Sequence, residues 1–333
     1  MGLLNRAYSS LRSRTGAILA ARRKSKVLAH KRLLTEESLR YSAYQNIAFV
    51  FQVFNKAKNS DSILSLFLEK GCKNMVVFAD GCIDGSANAW HKNLRGKNHI
   101  VISSNDLHEI RNYRLSIEIA GHWGCSHVVL LQDDDIYDAR LFDWLDSALE
   151  ASSQYRAAIV GGNGGSDLDC SFPYRRADSG LLSAEFIMNF ENASKSFYSL
   201  GCYERMLIPS KLTTANCMMP HRFVACVNRA PQLIDIKSAR HLSFFPEALE
   251  PYQYDDYYNC FESWLNGFPV VLMPFGKAAT NVGVGGMRLY NNVNRKNRPA
   301  HFINNWNFVL DRFIDSFTEI DKLVSGSNRK WLT

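Results

Sequence analysis

The chain has 333 residues, of which 46% are hydrophobic and 21% charged, so it can bury one large core or two modest ones. This composition excludes an intrinsically disordered chain. No run of eighteen apolar residues occurs, so the sequence predicts neither a membrane-spanning helix nor a signal peptide. Eight cysteines are scattered without Cys-x-x-Cys pairs, which favours reduced thiols in the cytoplasm over a disulfide framework.

The formal net charge of +7 is concentrated at the N-terminus. Residues 1–35 hold nine Lys and Arg and no acid, whereas the remaining chain carries 30 basic and 32 acidic residues. Apolar residues recur among these cations at helical spacing, as in Leu4, Tyr8 and Leu11. The pattern predicts a basic amphipathic arm over residues 1–45 that lies on an anionic membrane surface, at the inner face of the cell membrane. A solvated helix packed on its own domain is the alternative.

A nucleic-acid partner is not expected. The basic arm alone would suit one, but the rest of the sequence adds no basic face interleaved with aromatic residues.

Strands and helices alternate from residue 46 onward. The periodicity predicts strands at 47–54, 75–79, 99–103, 128–131 and 157–161, and helices at 60–70, 107–122 and 139–151. Such alternation predicts an α/β fold with a mostly parallel sheet that is covered on both faces.

The second half of the chain is less regular. Residues 166–225 are aromatic and punctuated by Gly and Pro, and we assign them to the acceptor side of a site. Periodicity returns at 232–236, 257–265 and 269–273. Near the C-terminus an apolar stripe predicts one helix that packs into the core or forms an oligomer contact; its members are Phe302, Trp306, Val309, Phe313 and Phe317.

Three acidic residues, Asp133, Asp134 and Asp135, come directly after the strand at 128–131. Adjacent carboxylates repel one another unless a cation lies among them, and they are the hard oxygen ligands that Mg²⁺ and Mn²⁺ prefer. The sequence therefore predicts a metal site, with a solvated acidic turn before the next helix as the alternative.

A second acidic turn, containing Asp80 and Asp84, follows the strand at 75–79. Asp-Gly pairs also make tight turns unaided, which is the alternative to a functional role here. Because ligands bind at the carboxyl ends of strands in open α/β sheets, two strands that end in acids indicate one site.

Together these motifs resemble the GT-A glycosyltransferases, in particular the inverting family 2 and, within it, the galactofuranosyltransferase branch. Asp80 to Ser86 match that family's Asp-Gly-Ser-x-Asp-Gly-Ser/Thr, with Cys82 in place of the first serine, and Asp133 to Asp135 match its Asp-x-Asp. Downstream, Asp255 and Asp256 precede a helical pattern, a Gly turn and an apolar strand, as the family's acidic pair does.

The resemblance implies a GT-A fold with helical extensions at both ends. Residues 46–280 would form the catalytic domain, divided into a nucleotide-sugar half (46–165) and an acceptor half (166–280), and residues 281–333 would form a basic loop and a C-terminal helix. The implied activity is inverting, metal-dependent transfer of a sugar from a UDP-linked donor to a hydroxyl of a glycan or lipid-linked acceptor in cell-surface polysaccharide synthesis. A catalytically silent GT-A domain that binds a sugar nucleotide or a partner is the alternative.

The same resemblance assigns roles to individual residues. Asp133 and Asp135 would hold Mn²⁺ or Mg²⁺, Asp134 would lie near the ribose, and Asp80, with Asp84 in the same turn, would accept the uracil N3–H. The segment after the first predicted strand resembles the family's Pro-x-Tyr-Asn and would line the nucleotide, with Phe54 on the base and Lys56 near phosphate; its members are Gln52, Phe54, Asn55 and Lys56.

The resemblance also makes Asp256 the general base that takes the proton of the acceptor hydroxyl. Two acids that cap a helix N-terminus are the alternative for Asp255 and Asp256, and Asp255 is also a candidate acceptor contact. Family members often supply a metal-binding His after the closing strand, but residues 274–281 contain none. Asn281 and His301 are the candidate substitutes. Arg288 is a candidate phosphate contact, with a solvated basic loop as the alternative.

Overall fold

A computed structural model describes residues 44–94, 98–105, 107–133, 137–162, 165–166, 168, 221–227, 229, 231–251, 254–273 and 298–332. Several predicted features lie outside the described residues: residues 1–43 of the N-terminal arm, Asp134, Asp135, Asn281, Arg288 and nearly all of the acceptor segment 166–225.

Eight strands form one mixed sheet in the order β3-β2-β1-β4-β9-β5-β10-β7, and two short strands, β6 and β8, form a second. The strands are β1 Ile47–Val53, β2 Asn74–Asp80, β3 Asn98–Ser104, β4 His127–Gln132, β5 Ile159–Gly161, β6 Gly165–Ser166, β7 Arg222–Phe223, β8 Cys226–Val227, β9 Gln232–Asp235 and β10 Val270–Leu272. The pairs β1/β2, β2/β3, β1/β4 and β5/β10 are parallel. Because β9 is antiparallel to both β4 and β5, the strands β4 and β5 point in the same direction.

Helices cover the sheet. They are α1 Ser60–Glu69, α2 Ser86–Asn93, α3 Glu109–His122, α4 Arg140–Tyr155, α5 Ile236–His241, α6 Asp255–Leu265, α7 Arg298–Phe313 and α8 Phe317–Leu332, with 3-10 turns at Ala57–Asn59, Glu247–Leu249 and Ile314–Ser316.

The central strands are buried along almost their whole length. All seven residues of β2 and six of the seven of β1 are buried, as expected for parallel strands that are covered on both faces. On one face the ring of Phe67 in α1 lies 5.2 Å from Phe49 and 5.1 Å from Phe51, and 5.4 Å from Phe142 in α4. The α/β prediction is confirmed.

Most predicted elements are present close to their predicted bounds, but two helices were missed. Helix α2 has a polar sequence in which Trp90 is its one large apolar residue, so it gives no helical stripe. Helix α5 begins at Ile236, at the end of the segment 232–236 where periodicity returns, because the side chain of Asp235 accepts the Ser238 N–H at 2.7 Å and caps the helix.

The C-terminal apolar stripe spans two helices rather than the predicted one, since α7 ends at Phe313 and α8 begins at Phe317. The rings of Phe313 and Phe317 lie 5.6 and 5.5 Å from Phe261 in α6, so this part of the stripe packs into the core. The side-chain amide of Asn328 in α8 accepts the Phe223 N–H at 3.0 Å and donates to the Phe223 carbonyl at 2.9 Å, so it covers the edge strand β7.

None of the helices in the described part of the chain is long and apolar enough to cross a membrane. The described cysteines are free thiols, in agreement with the prediction of no disulfide framework; they are Cys72, Cys82, Cys125, Cys226 and Cys260.

Candidate active site

The candidate site lies where the strand order of the sheet reverses. The chain runs outward from β1 to β2 and β3 on one side, and then places β4 on the other side of β1. The loops that follow β1 and β4 leave the sheet at the same edge, the carboxyl ends of the parallel strands, where open α/β sheets bind ligands, and we call the region that they line the crevice. Strand β1 pairs with β4 in a register that sets Gln52 opposite Gln132, so Phe54 and Asp133 leave the sheet side by side.

Asp133 is bound tightly within this crevice. Its Oδ2 accepts the Phe54 N–H at 2.8 Å, and its Oδ1 lies 3.3 Å from the Lys56 Nζ. The side chains of Lys56 and Asp133 are only 8% and 5% exposed. The backbone N–H of Asp133 donates to the Gln52 carbonyl at 3.2 Å, and its carbonyl accepts from the Asn59 side chain at 3.2 Å. The loops after β1 and β4 are thus fixed to each other.

The surroundings of Asp133 fit a cation. Its carboxylate supplies hard oxygen atoms, and the Lys56 ammonium already stands where a positive charge is favoured. Within the described ranges no group of three His, Cys, Asp or Glu is placed to hold a metal ion. A divalent ion here would therefore need ligands from outside those ranges, where Asp135 lies, and Lys56 would have to share Asp133 with it.

The turn after β2 holds the loop that carries Lys56. Asp84 Oδ2 accepts the Ala57 N–H at 3.0 Å, and its Oδ1 accepts both the N–H and the hydroxyl of Ser86 at 3.0 and 2.5 Å. The Ser86 hydroxyl in turn accepts the Lys56 N–H at 3.1 Å. Burial alone would raise the pKa of Asp84, but these hydrogen bonds outweigh it and hold the pKa below its usual value.

Asn55 and Cys82 make a second link between these loops. Asn55, at a φ of 50°, accepts the Ile83 N–H with its Oδ1 at 2.8 Å. Its own N–H donates to the Cys82 Sγ at 3.4 Å, and the Cys82 thiol donates to the Val53 carbonyl at 3.3 Å. Cys82, which stands where the family pattern has serine, thus keeps a polar link of the kind that a hydroxyl would make.

Asp80 orients the start of α3. Its carboxylate accepts the Ser104 hydroxyl at 2.5 Å, the Leu107 and His108 N–H groups at 2.8 and 2.7 Å, and the Asn112 side chain at 3.5 Å. Asn112 also donates to Gln52 Oε1 at 3.1 Å. The contact of Asp80 with the uracil N3–H stays a prediction. The buried carboxylate oxygens of Asp80 already accept hydrogen bonds from these four groups.

The acidic pair begins α6, and a residue that the sequence analysis missed joins it to α3. Arg229 Nη1 lies 2.9 Å from Asp255 Oδ2, its Nε lies 3.3 Å from Asp256 Oδ1, and its Nη2 lies 3.1 Å from Glu109 Oε2. No motif surrounds Arg229 in the sequence.

Electrostatics distinguish the two acids of the pair from those of the crevice. Burial raises the pKa of Asp256 to about 7, against the opposing effect of the Arg229 charge, and Asp255 and Glu109 raise it further. Burial likewise raises the pKa of Asp255. Asp255 is fully buried, whereas the side chain of Asp256 is 18% exposed, so Asp256 is the acid of the pair that another molecule can reach.

Topology places the acidic pair at the same edge as the crevice. Helix α6 leads into β10, which is parallel to β5 and hence to β4, so α6 begins at the carboxyl edge of these strands. Helix α3 leads into β4 and begins at that edge too. Asp80 binds the residues just before α3, and Glu109 at its first turn contacts Arg229. His301 lies in α7.

No protein-family model matches the sequence, and neither does any curated protein. Among solved structures, the chain is similar to the crystal structure of GalNAc-T7 with UDP, GalNAc and Mn²⁺, with 10% sequence identity and a TM-score of 0.52. The match covers 87% of this chain and 53% of that chain, so this protein spans about half the length of the solved relative. At this identity the similarity shows the fold, an α/β fold of the GT-A type.

Proposed function

We propose that the protein is a glycosyltransferase that uses a nucleotide-sugar donor. The observation that carries the proposal is the meeting of two chemically different acidic centres at one edge of a GT-A-type sheet. One is Asp133, which forms an ion pair with Lys56 where the strand order reverses, and the other is Asp256, which is partly exposed and has a raised pKa. Glycosyl transfer requires that the charge on the leaving diphosphate be neutralised and that the proton of the incoming hydroxyl be accepted. These two centres suit those two tasks.

The nucleotide-sugar donor would lie in the crevice, against the loops that follow β1 and β4. Phe54 would stack on the base, Lys56 would approach the phosphates, and Gln52 and Asn55 would line the pocket. Mn²⁺ or Mg²⁺, held by Asp133 and Asp135, would neutralise charge on the leaving diphosphate. UDP is the proposed nucleotide because of the family 2 resemblance.

Asp256 would act as the general base. It would accept the proton of the acceptor hydroxyl while that oxygen bonds to the anomeric carbon and the bond from this carbon to the diphosphate oxygen breaks, with inversion. A positioned base is typically worth about 10²- to 10⁴-fold in rate. A pKa near the working pH suits this role, because the carboxylate is then ionised and still basic.

The acceptor and the place of action follow from the resemblance and from the basic arm. We propose a glycan or lipid-linked acceptor for cell-surface polysaccharide, and binding of residues 1–35 to anionic lipid.

A variant that lacks residues 1–35 should keep its turnover on a soluble acceptor but should no longer sediment with anionic vesicles, and raised salt should have the same effect. Equal sedimentation of both forms would contradict the role of the arm.

A silent GT-A domain that binds a sugar nucleotide without transfer is the second candidate. The Lys56–Asp133 ion pair favours it, because that pair engages the carboxylate that a metal would need. Incubation with Mn²⁺, glycan acceptors and a panel of radiolabelled nucleotide sugars separates the two candidates. Release of the nucleoside diphosphate together with acceptor labelling is expected, whereas tight binding without release from any donor would favour the silent domain.

A further inference from the structure

We propose that Arg229 is a positioning residue for the base: by contacting three carboxylates at once it joins α6 to α3, favours the ionised form of Asp256 and holds that carboxylate in place. The inference rests on the proposed role of Asp256 in glycosyl transfer. Arg229 itself would touch neither the sugar nor the nucleotide and would act through the carboxylate beside it.

Each of the three guanidinium nitrogens of Arg229 lies close to a carboxylate oxygen. Its Nε lies 3.3 Å from Asp256, its Nη1 and Nη2 lie 2.9 and 3.3 Å from the two oxygens of Asp255, and its Nη2 also lies 3.1 Å from Glu109. A planar guanidinium can serve several carboxylates in fixed directions, whereas the ammonium of a lysine is a single point charge. Arg229 Nη1 and Asp256 Oδ1 have no hydrogen-bond partner among the described residues, so the guanidinium of Arg229 acts on Asp256 through its charge and its position and not through a directed hydrogen bond.

Aromatic packing fixes the position of Arg229. Its Cζ lies 5.0 Å from the centre of the Tyr113 ring, and its side chain is 9% exposed. The Tyr113 hydroxyl is buried and has no hydrogen-bond partner among the described residues, so the ring itself is what Tyr113 offers to Arg229. A buried cation over an aromatic face is stabilised by roughly 0.5–2 kcal/mol.

The charges around Asp256 do not balance. Among the described residues, three carboxylates face one guanidinium, and the other titratable groups near the acidic pair are Tyr113 of α3, Cys226 of β8 and Cys260 of α6. Burial raises the pKa of Asp256, and the Arg229 charge is the largest effect that lowers it. Without Arg229, Asp256 would hold its proton at neutral pH and could not accept another.

The test compares Arg229→Met with Arg312→Met. Arg312 matches Arg229 in kind, because it contacts Glu262 at 3.4 Å and lies 5.6 Å from the Phe313 ring, but it is 56% exposed and lies outside the site. In Arg229→Met the acid limb of kcat against pH should move upward by about 1–3 pH units, with roughly a 10-fold or greater loss of kcat at pH 7, since a neighbouring Arg lowers an Asp pKa by that amount. The KM for the sugar nucleotide and the Arg312→Met profile should change little.

Two further measurements keep the inference separable from the proposed function. Carbon-13 NMR of Asp-labelled protein without any substrate should show Asp256 titrating at higher pH in Arg229→Met, whether or not transfer is ever observed. Arg229→Lys, which serves if the methionine variant does not fold, should give a smaller shift together with reduced kcat. Unchanged Asp256 titration in Arg229→Met, or wild-type kinetics in Arg229→Lys, would overturn the role of Arg229. A wild-type protein that transfers no sugar would instead overturn the proposed function.

Discussion

The carboxylates in the two acidic regions of the site are stabilised by different groups. In the crevice, the carboxylates of Asp80, Asp84 and Asp133 accept backbone N–H groups, hydroxyls or the Lys56 ammonium. At the start of α6, Asp255 and Asp256 share one guanidinium with Glu109. Hydrogen-bond donors favour the ionised form of a carboxylate, whereas burial with too little positive charge favours the protonated form. The first arrangement suits binding of a charged ligand, and the second suits acid–base chemistry.

The largest effect is expected from removing a charge in the crevice. Asp133→Asn deletes the negative charge that faces Lys56, so it should abolish transfer and weaken metal-dependent UDP binding. The unfolding midpoint should be measured alongside UDP affinity, because Asp133 also joins the loops after β1 and β4. Asp138→Asn, which removes a carboxylate from an exposed pair with Arg140, is the matched control. Full activity of Asp133→Asn in excess EDTA would contradict the assignment.

A smaller effect, a shift of the pH profile of kcat in a predictable direction, is expected in the region around Asp256. Glu109→Gln removes one of the negative charges that raise the pKa of Asp256. The acid limb of kcat against pH should therefore move downward, by about 1 unit or less, which is opposite to the shift expected for Arg229→Met. The pH profile of kcat in Glu109→Gln measures this shift. An upward shift would contradict the claim that the Glu109 charge raises the pKa of Asp256.

The smallest effect concerns stability, where the two regions should respond to pH with opposite sign. The pKa of Asp84 is lowered by folding, so its contribution is present above about pH 4, the unfolded value, and is lost in acid. The pKa of Asp256 is raised, so its contribution is full below about pH 4 and is lost as pH rises toward 7. Urea unfolding of Asp84→Asn and Asp256→Asn between pH 3 and pH 8 measures both trends. If the two substitutions changed the free energy of unfolding with the same dependence on pH, the predicted difference between Asp84 and Asp256 would be contradicted.

The crevice was the more predictable region because its elements are regular. Apolar runs such as those of β1 and β2 predict buried parallel strands, and the acids that follow them reach the same edge by topology alone. The sequence could not show how these acids are neutralised. Asp80 and Asp84 carry out the turn and capping chemistry that was the alternative to function, and only the hydrogen bonds to Leu107, His108 and Ala57 reveal it.

The region around α6 was predictable only in part. The acidic pair and its helix could be found, but Arg229 lies far along the chain from Glu109, and a contact between three separate segments leaves no periodic signal. Helices α2 and α5 were missed because one is polar and the other is only six residues long. The apolar stripe at the C-terminus continued through the break at Ile314–Ser316, since both helices pack onto α6.

The most direct test of the account is to compare turnover with UDP affinity in Asp256→Asn. The amide keeps the size of the carboxylate but cannot take up a proton, so kcat should fall by roughly 10²-fold or more and its acid limb should disappear, while the Kd for UDP barely changes. Asp255→Asn, at a fully buried position, should reduce kcat less. Near-normal turnover of Asp256→Asn, or equal losses of turnover and UDP affinity, would contradict the assignment of Asp256 as the base.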